Sequence, residues 1–476
     1  MFPGFIFRAL SAFALILPVM AQTPVPSAVN PIPHRLTLTE AETLLIQRNL
    51  AVVAARYQIE SNRAARLIAS YKPNPVLTIG LEQLPFYSPV SGSFPRFWKT
   101  NLDAGAQPTY TVRVDKIWER GGKRELRTAI ADSQLKATEA QMLDALRTQL
   151  YQLRQAFAVA TLAQENLLVA EATEQQYAQT EKLTQIKVEN GDLAGVEVYR
   201  VSAGRLQYQQ AVLQARTAYQ QAARDVLNLL GAKAEEIAPS LIASTGELPS
   251  SDGHVRIEQI AQQPEPAQSP PALGSLQQAP LELIYTFDDR PVVSALAELR
   301  ATALAERPDV IVARNTLAAA TSAIRLAQSQ RTRDFSLGYE YQRTGQDHTL
   351  GVVLQIPLFT YNNQQAGIAQ SEAQKRAAEA LLRQTEMQAI TDVEKAYQAY
   401  LAARRVLELY NTQNLSQVEK LRSITAWSYK EGALSLFEVL DAQRTYNQTV
   451  TAYNQARADY QNALWQLEQA IGKPLR

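Results

Sequence analysis

The sequence predicts a mainly helical protein with a small β part, in which long helical hairpins and strand pairs occur twice along one chain. Three observations support this fold class. Residues 123–189 contain neither glycine nor proline and can form one helix of about 100 Å. Two segments in each half alternate apolar and polar residues with period two. The element around Gly191 returns around Gly432.

The first 21 residues have the composition of a secretory signal peptide. Arg8 precedes an apolar run from Ala9 to Val19, and Ala21 ends a stretch suited to cleavage. The alternative, a membrane anchor, requires roughly 20 apolar residues, and this run has about half that length. We therefore expect the mature chain to leave the cytoplasm.

Composition limits the partners and the chemistry. The net charge of +1 offers no basic field for nucleic acid, and the absence of cysteine excludes disulfides, thiolate chemistry and a lipidated cysteine. We find no phosphate loop, zinc-ligand spacing or nucleophile elbow. The three histidines, His34, His254 and His348, are too far apart in sequence to suggest a metal site. We expect no enzyme, no cofactor and no nucleic-acid partner.

An internal repeat organises the chain. Residues 188–231 laid over 429–472 give 13 identical pairs in 44, where composition alone accounts for roughly 3 or 4. Upstream, residues 129–140 match 369–380 at an offset of 240 rather than 241. Further back, "TIGLE" at Thr78 lies over "SLGYE" at Ser336. Two halves with one structural plan follow from these matches.

The repeat predicts the domain boundaries. The expected segments are a signal peptide 1–21, an extended arm 22–37, a first repeat 38–231, a proline-rich connector 232–290, a second repeat 291–472 and a tail 473–476. After its initial helix, the first repeat has strands 76–84 and 110–118, a long helix 122–189, a tip and a helix 196–230. The second has strands 335–343 and 349–358, a long helix 363–430, a tip and a helix 436–471.

Two environments fit the strand pairs. Leu77, Ile79 and Leu81 share one face of a strand, as expected for a soluble hairpin that covers a core. The strand lengths, with aromatic residues such as Trp118 and Phe359 near their ends, also suit a membrane barrel. Four strands cannot close a barrel, and unpaired edges are not tolerated in lipid. The membrane interpretation therefore requires an oligomer.

Several motifs resemble the TolC family of outer-membrane efflux proteins across essentially the whole mature chain. They are "PNPVLTIGLE" at Pro73, "IPLF" at Ile356, and G-x-L-x-x-x-E-V at both Gly191 and Gly432. The resemblance implies a homotrimer with a twelve-stranded barrel in outer-membrane lipid and a helical tunnel through the periplasm. It also implies a periplasmic adaptor, an inner-membrane pump, and export instead of catalysis.

A further stretch, "WERGGKRELR" at Trp118, resembles the cation-efflux, CzcC-like branch of that family, whose pump is of the resistance-nodulation-division type. Export of heavy-metal cations would follow, with the metal chosen by the pump. The alternative is structural, because Gly121 and Gly122 lie at a strand-to-helix junction. Pro357 lies at the corresponding junction of the second repeat.

The resemblance also implies an acidic ring at the periplasmic entrance, formed by Glu438 and Asp441. Their i, i+3 spacing places both on one helical face, and threefold symmetry would stack them into rings that attract cations. The alternative is a solvated acid pair that the helix N-terminus favours. The matching positions in the first repeat are Glu197 and Arg200, so a mixed lining is expected there.

Two more roles are implied at the tips. A closing hydrogen bond would join Tyr429 to Glu197, whereas Leu434 replaces a basic residue that makes another closing contact in some members. The tip residues that would dock the adaptor are Asn190, Gly191, Asp192, Leu193, Glu431, Gly432, Ala433 and Leu434. Alternatively, these are simply turn residues, with each glycine supplying a positive φ.

Two other functions remain open at the level of sequence. A secreted coiled-coil scaffold or adhesin would share the signal peptide and the helices, but it would not need paired strands in each half. Phage or toxin reception through the loop 83–109, with Phe94, Phe97 and Trp98, is a second alternative.

Overall fold

The structure, a computed structural model, describes most of the two repeats. The described residues are 32–33, 35–82, 108–232, 281–287, 290–291, 295–360, 363–410 and 412–475. The chain divides into two units, Met1–Pro33 and His34–Arg476, and every element described below belongs to the second. The expected signal peptide 1–21 lies outside the described residues, as do most of the arm 22–37, the connector 232–290 and the loop 83–109.

The first half contains two short helices, a strand pair and two long helices. Its elements are β1 (Arg35–Thr37), α1 (Leu38–Arg48), α2 (Leu50–Ser70), β2 (Val76–Glu82), β3 (Thr109–Trp118), α3 (Lys123–Glu189) and α4 (Val196–Leu229). Helix α3 is a single 67-residue helix, as its lack of glycine and proline predicts, and it packs along α2 and α4. No helix in the described part of the chain combines the length and apolar character that a membrane crossing needs.

The second half has the same plan. Its elements are β4 (Glu282–Ile284), α5 (Leu296–Glu306), α6 (Pro308–Ser329), β5 (Phe335–Thr344), β6 (Asp347–Gln355), α7 (Gln365–Leu409), α8 (Thr412–Lys430) and α9 (Leu436–Ile471). Two short helices, a strand pair, a long helical segment, a tip and a last helix follow one another, as in the first half. The mainly helical fold class with a small sheet is thereby confirmed.

Both repeats interrupt their first helix at an equivalent point. Asn49 separates α1 from α2 with φ −62° and ψ 122°, and Arg307 separates α5 from α6 with φ −66° and ψ 123°. The Asn49 side chain accepts hydrogen bonds from the N–H groups of Ala51 and Val52. In the second repeat Pro308 begins α6 at a position where no N–H is needed. Different residues thus produce one backbone geometry.

The sequence predicts one helix over 363–430, and this prediction is wrong because the structure has two, α7 and α8. The backbone leaves the helical region at Tyr410 (φ −95°, ψ 48°), and the Asn414 side chain donates to the Leu409 carbonyl at 2.8 Å. The break lies in the interval where the offset between repeats changes from 240 to 241. One residue inserted into a continuous helix would rotate all that follows by about 100°. The break absorbs that rotation.

The strand pairs of the two repeats join into one antiparallel sheet with the order β2-β3-β5-β6. The register aligns Ile79, Val112, Tyr341 and Leu350 across the four strands, so these apolar side chains share one face. They are exposed: Ile79 is 74% accessible and Leu350 is 88% accessible. The other face carries small and charged residues, as the period-two alternation predicts.

Strand bounds differ slightly from expectation. Strand β6 ends at Gln355 and not at 358, because Pro357 has no N–H to donate to the ladder. Strands β3 and β5 each extend one residue beyond the expected 110–118 and 335–343. Strand β2 ends at Glu82, and residues 83–84 lie outside the described residues.

A second, two-stranded sheet joins parts of the expected arm and connector. Strands β1 and β4 pair in parallel, and Arg35 Nε lies 2.7 Å from Glu282 Oε2. The end of the N-terminal arm and the described part of the connector therefore meet in a small sheet.

The core lies between the helices, both within each repeat and between the two repeats. In the second repeat it includes Leu299, Val393, Tyr400, Tyr460, Leu464 and Leu467. Tyr219 and Tyr460, a pair of identical residues 241 positions apart, are both fully buried. The Tyr219 hydroxyl donates to the Leu281 carbonyl, and the Tyr460 hydroxyl donates to the Arg290 carbonyl at 2.8 Å. Each repeat thus anchors the segment between the repeats through the same tyrosine.

A glycine closes each repeat. Gly231 and Gly472 follow α4 and α9 with φ of 67° and 84°. A Cβ at Gly231 would lie 3.0 Å from the carbonyl oxygen of Arg48, and one at Gly472 would lie 3.0 Å from Cα of Arg307. The last helix of each repeat therefore ends against the break in that repeat's first helix.

Candidate functional site

The two helix tips have the same backbone geometry. Gly191 and Gly432 have φ of 83° and 79°, and no atom within 4 Å would oppose a Cβ at either position. The N–H of the next residue reaches back to close the turn, from Asp192 to the Lys187 carbonyl and from Ala433 to the Ser428 carbonyl, at 2.8 Å in both cases. The positive φ expected for each glycine is therefore present, and it ends the helix as in other αL caps.

A cavity of about 700 Å³ lies between the tips. Of the residues that the sequence singles out, it is lined by Asp192, Leu193, Glu197, Tyr429, Glu431, Gly432 and Leu434, together with Lys187 and Arg200. Lysine, arginine and acidic side chains thus surround one space. The structure brings both tips of the chain together at this cavity.

Tyr429 is the buried centre of the tip region, with 3% of its surface exposed. Its hydroxyl lies 2.9 Å from Thr184 Oγ1. Thr184 donates its own proton to the Thr180 carbonyl at 2.8 Å, so Tyr429 is the donor to Thr184. Lys187 Nζ donates to the Tyr429 carbonyl at 2.6 Å and lies 4.6 Å from the centre of the Tyr429 ring. Two residues of α3 therefore hold the second tip.

The sequence-based interpretation did not identify Thr184 and Lys187. Their i, i+3 spacing places them on one face of α3, and Thr184 is fully buried. A polar pair on one face near a helix end is a weak signal, since many such pairs are solvated.

Glu197 has a different partner from the one that the resemblance implies. Both of its carboxylate oxygens accept from Arg200 Nη1 at 3.0 Å, and within the chain the Tyr429 hydroxyl bonds to Thr184. Glu197 and Tyr429 line the same cavity without being hydrogen-bonded to each other. Glu197 is therefore paired with a residue one turn along its own helix.

Glu438 lies in the first turn of α9 and forms a capping box with Ser435. Its Oε2 accepts from the N–H and from the hydroxyl of Ser435, both at 2.8 Å. These two bonds hold the pKa of Glu438 below its ordinary value, and the bond from the Ser435 N–H has the larger effect. Asp441 lies one turn later and accepts from Arg444 Nη2 at 2.5 Å. Both acids are thus placed on one end of α9, and each has a partner on that helix.

The strand-to-helix junction gives the glycine pair a structural role. Gly121 and Gly122 have φ of 76° and 68°, and a Cβ at Gly121 would lie 3.1 Å from Cβ of Thr332. Lys123 Nζ then donates to the Thr332 carbonyl and to Asp334 at 2.8 and 2.7 Å. The segment that resembles the cation-efflux branch therefore packs the start of α3 against the loop before β5.

No metal centre is evident among the described residues, where no group of three histidine or acidic side chains lies close enough to hold an ion. His348 shares a 2.5 Å hydrogen bond with the Tyr341 hydroxyl. His34 and His254 lie outside the described residues.

Comparison with known protein families finds a match in the second repeat. Residues 299–473 match the model of the outer membrane efflux protein family, which covers α5 from Leu299 through the end of α9. No curated protein matches the chain. The family match agrees with the resemblance seen in the sequence, and the narrower cation-efflux branch is not confirmed by it.

Solved structures extend the likeness to nearly all of the chain. VceC, an outer membrane protein of Vibrio cholerae, is 17% identical, with 92% of this chain and 97% of that chain covered and a TM-score of 0.65. The MtrE outer membrane channel of Neisseria gonorrhoeae in its open state is 15% identical, with coverages of 92% and 89% and a TM-score of 0.67. The CmeC outer membrane channel of Campylobacter jejuni is 14% identical, with coverages of 91% and 85% and a TM-score of 0.66. At these identities the comparison shows that the fold is shared.

Proposed function

We propose that this chain is one protomer of a trimeric outer-membrane efflux channel, a passive exit duct that extends from the outer membrane into the periplasm. The observation that carries the proposal is the four-stranded sheet, whose apolar face is exposed in the protomer. Side chains such as Ile79, Leu350 and Val352 are more than half accessible on that face. Contiguous apolar surface of this kind is unusual on a soluble protein, and lipid would cover it.

The sheet edges support assembly into an oligomer. Strands β2 and β6 each have only one neighbour in this sheet, and an unpaired edge is not tolerated in lipid. Three protomers pairing β6 of one with β2 of the next would close a barrel of 3 × 4 strands. A homotrimer therefore satisfies both edges.

Exposed apolar residues on two helices support the same assembly. On α4 they are Val196, Tyr199, Leu206 and Leu213, and on α8 they are Leu421, Ile424 and Trp427. Within the described protomer α4 packs chiefly on α3, and α8 packs chiefly on α9. Packing of these remaining faces against neighbouring protomers would form the wall of a helical tunnel.

The tips form the inner end of that tunnel. We place the adaptor-docking surface on the turn residues around Gly191 and Gly432, and the entrance acids at Glu438 and Asp441. A periplasmic adaptor and an inner-membrane pump of the resistance-nodulation-division type complete the export system. For the inner end of the tunnel to open, binding of these partners must stabilise the open state by more than the contacts of Tyr429 stabilise the closed state.

Heavy-metal cations are the narrower proposal for the substrate. It rests on the stretch "WERGGKRELR", in which Gly121 and Lys123 also have the packing roles described above. The described residues hold no cluster suited to a metal ion, so any choice among metals would be made by the pump.

The first experiment determines the mass and conductance of protein extracted from the outer membrane. Native mass spectrometry should give a trimer, and planar bilayers should show a small, cation-preferring conductance. A protein that carbonate washing releases into the soluble fraction, without conductance, would instead be a secreted scaffold.

The entrance acids have their own test in the same bilayers. Glu438→Gln combined with Asp441→Asn should weaken cation selectivity, since both charges are removed from each protomer. Asp459→Asn, about five turns further along α9, is the matched control and should leave the reversal potential unchanged. An unchanged reversal potential in the double variant would count against the acidic ring.

A further inference from the structure

The polar face of the four-stranded sheet carries a compact group of charges. Arg113 on β3 donates from Nε and Nη2 to Asp115 Oδ1, at 2.9 and 2.8 Å. Its Nη1 lies 4.0 Å from Glu340 Oε2 on β5. The three side chains are only about one-fifth to one-quarter exposed. One guanidinium and two carboxylates therefore lie together, with one negative charge in excess.

A glycine makes room for this group. Gly338 pairs with Asp115 across the sheet, and it is buried although the surrounding strands are open. A Cβ there would collide with Asp115 Oδ1 and would lie 3.0 Å from Arg113 Nε. The ion pair thus lies directly on the backbone of β5, which fixes its position.

The register sets the charges at one level of the sheet. Arg113 pairs with Glu340, and the outer partners at this level are Thr78 on β2 and Gly351 on β6. The charged side chains occupy the two central strands and the small ones occupy the two edges. In a closed trimer each protomer would contribute one charged group, separated from the next by small residues.

We propose that Arg113, Asp115 and Glu340 form a charge-selective site inside the barrel, which favours cationic over anionic solutes. This inference rests on the proposed channel, because the polar face is the pore-facing side only if lipid covers the apolar face. Asp115 is neutralised by its two bonds to Arg113, and Glu340 supplies the excess charge. Three protomers place a net charge of 3 × −1 at one level, remote in sequence from the tip acids. Gly338 is the positioning residue.

The chain contains no cysteine, so single-cysteine variants can report the local potential on intact cells. Thr111→Cys places a thiol on the polar face two residues from Arg113. Cationic and anionic methanethiosulfonate reagents that do not cross membranes are added outside, and the ratio of their reaction rates is measured. At separations of about 7 Å in water and 0.15 M salt, removing one charge should change this ratio roughly twofold.

Arg113→Gln in the Thr111→Cys background should raise the cation-to-anion ratio roughly twofold, and Glu340→Gln should lower it by a similar factor. Arg113→Lys keeps the charge and should keep the ratio. Lys116→Gln is the matched control, because it removes the same charge from the opposite face of β3 and should leave the ratio unchanged.

Two failures can be told apart. A thiol from Val112→Cys, on the apolar face next to Thr111, should be unreactive. Equal reactivity at positions 111 and 112 would overturn the channel itself. If only the thiol at 111 reacts and Arg113→Gln leaves the cation-to-anion ratio of its reaction rates unchanged, the channel is supported and the charge-selective site is overturned.

Discussion

The hydrogen bond between Tyr429 and Thr184 offers a quantitative test of how the tips are held together. Thr184→Val removes the acceptor while keeping the shape, and it leaves the buried Tyr429 hydroxyl without that partner. An unsatisfied buried hydroxyl costs about 1–3 kcal/mol. Tyr429→Phe removes the donor instead, and Thr184 keeps its bond to the Thr180 carbonyl. The expected cost of Tyr429→Phe is therefore lower, about 1 kcal/mol.

The double variant distinguishes this bond from a general packing effect. With Thr184→Val and Tyr429→Phe together, no hydroxyl is left unsatisfied, so the double variant should be more stable at the tip than Thr184→Val alone. Hydrogen exchange of the protein extracted in detergent, followed by mass spectrometry over residues 180–190 and 425–434, measures local opening. A loss of about 2 kcal/mol corresponds to roughly thirtyfold faster exchange.

Glu197→Gln is the decisive comparison, since the family resemblance pairs Glu197 with Tyr429. In the structure Glu197 bonds to Arg200 in a pair whose arginine side chain is 56% exposed, and such pairs contribute little. Exchange at the tip should change less than twofold in Glu197→Gln, since such a pair is worth at most a few tenths of a kcal/mol here. If Glu197→Gln accelerates exchange more than Thr184→Val does, the partner assignment for Tyr429 is refuted.

Two further predictions concern stability. Gly231→Ala should destabilise the protein more than Gly191→Ala in thermal unfolding. Both glycines have positive φ, which alone costs about 1 kcal/mol, but only a Cβ at Gly231 meets a backbone oxygen, that of Arg48. Equal shifts in the unfolding temperature would contradict this. The lowered pKa of Glu438 means that its contribution to the start of α9 is complete above the ordinary value of 4.5 and is lost as pH falls through the lower folded value. Exchange near Ser435 should accelerate in that acid range in the parent but not in Glu438→Gln, and identical pH profiles would contradict the capping role.

The parts of the fold that could be predicted have strong local signals. The period-two alternation in 335–343 identified strand β5 to within one residue, since each side chain's face follows from its parity. Gly191 and Gly432 indicated the tips, because a residue with φ near 80° is almost always glycine. The absence of breakers in 123–189 gave the length of α3.

The parts that could not be predicted depend on tertiary contacts. The helix breaks at Tyr410 although no glycine or proline lies near that position. Gln364 adopts φ 59° immediately before α7 although it is not glycine. At the candidate site, the partner of Tyr429 is Thr184, which lies 245 residues away and has no local signature. The family resemblance supplied a partner for Tyr429, but only coordinates could identify the one used within the chain.

The glycine contacts at the ends of the repeats bear on the order in which the molecule can form. Gly231 reaches Arg48, and Gly472 reaches Arg307, so each contact joins residues of the same repeat. Both residues of the first contact, Arg48 and Gly231, are synthesised before the second repeat begins. Sheet pairing between β3 and β5 spans both repeats and has to wait for the later strand. Because distant pairings form slowly, we expect helix closure in the first repeat to precede pairing of the strands across the two repeats, so that the sheet with its exposed apolar face forms last.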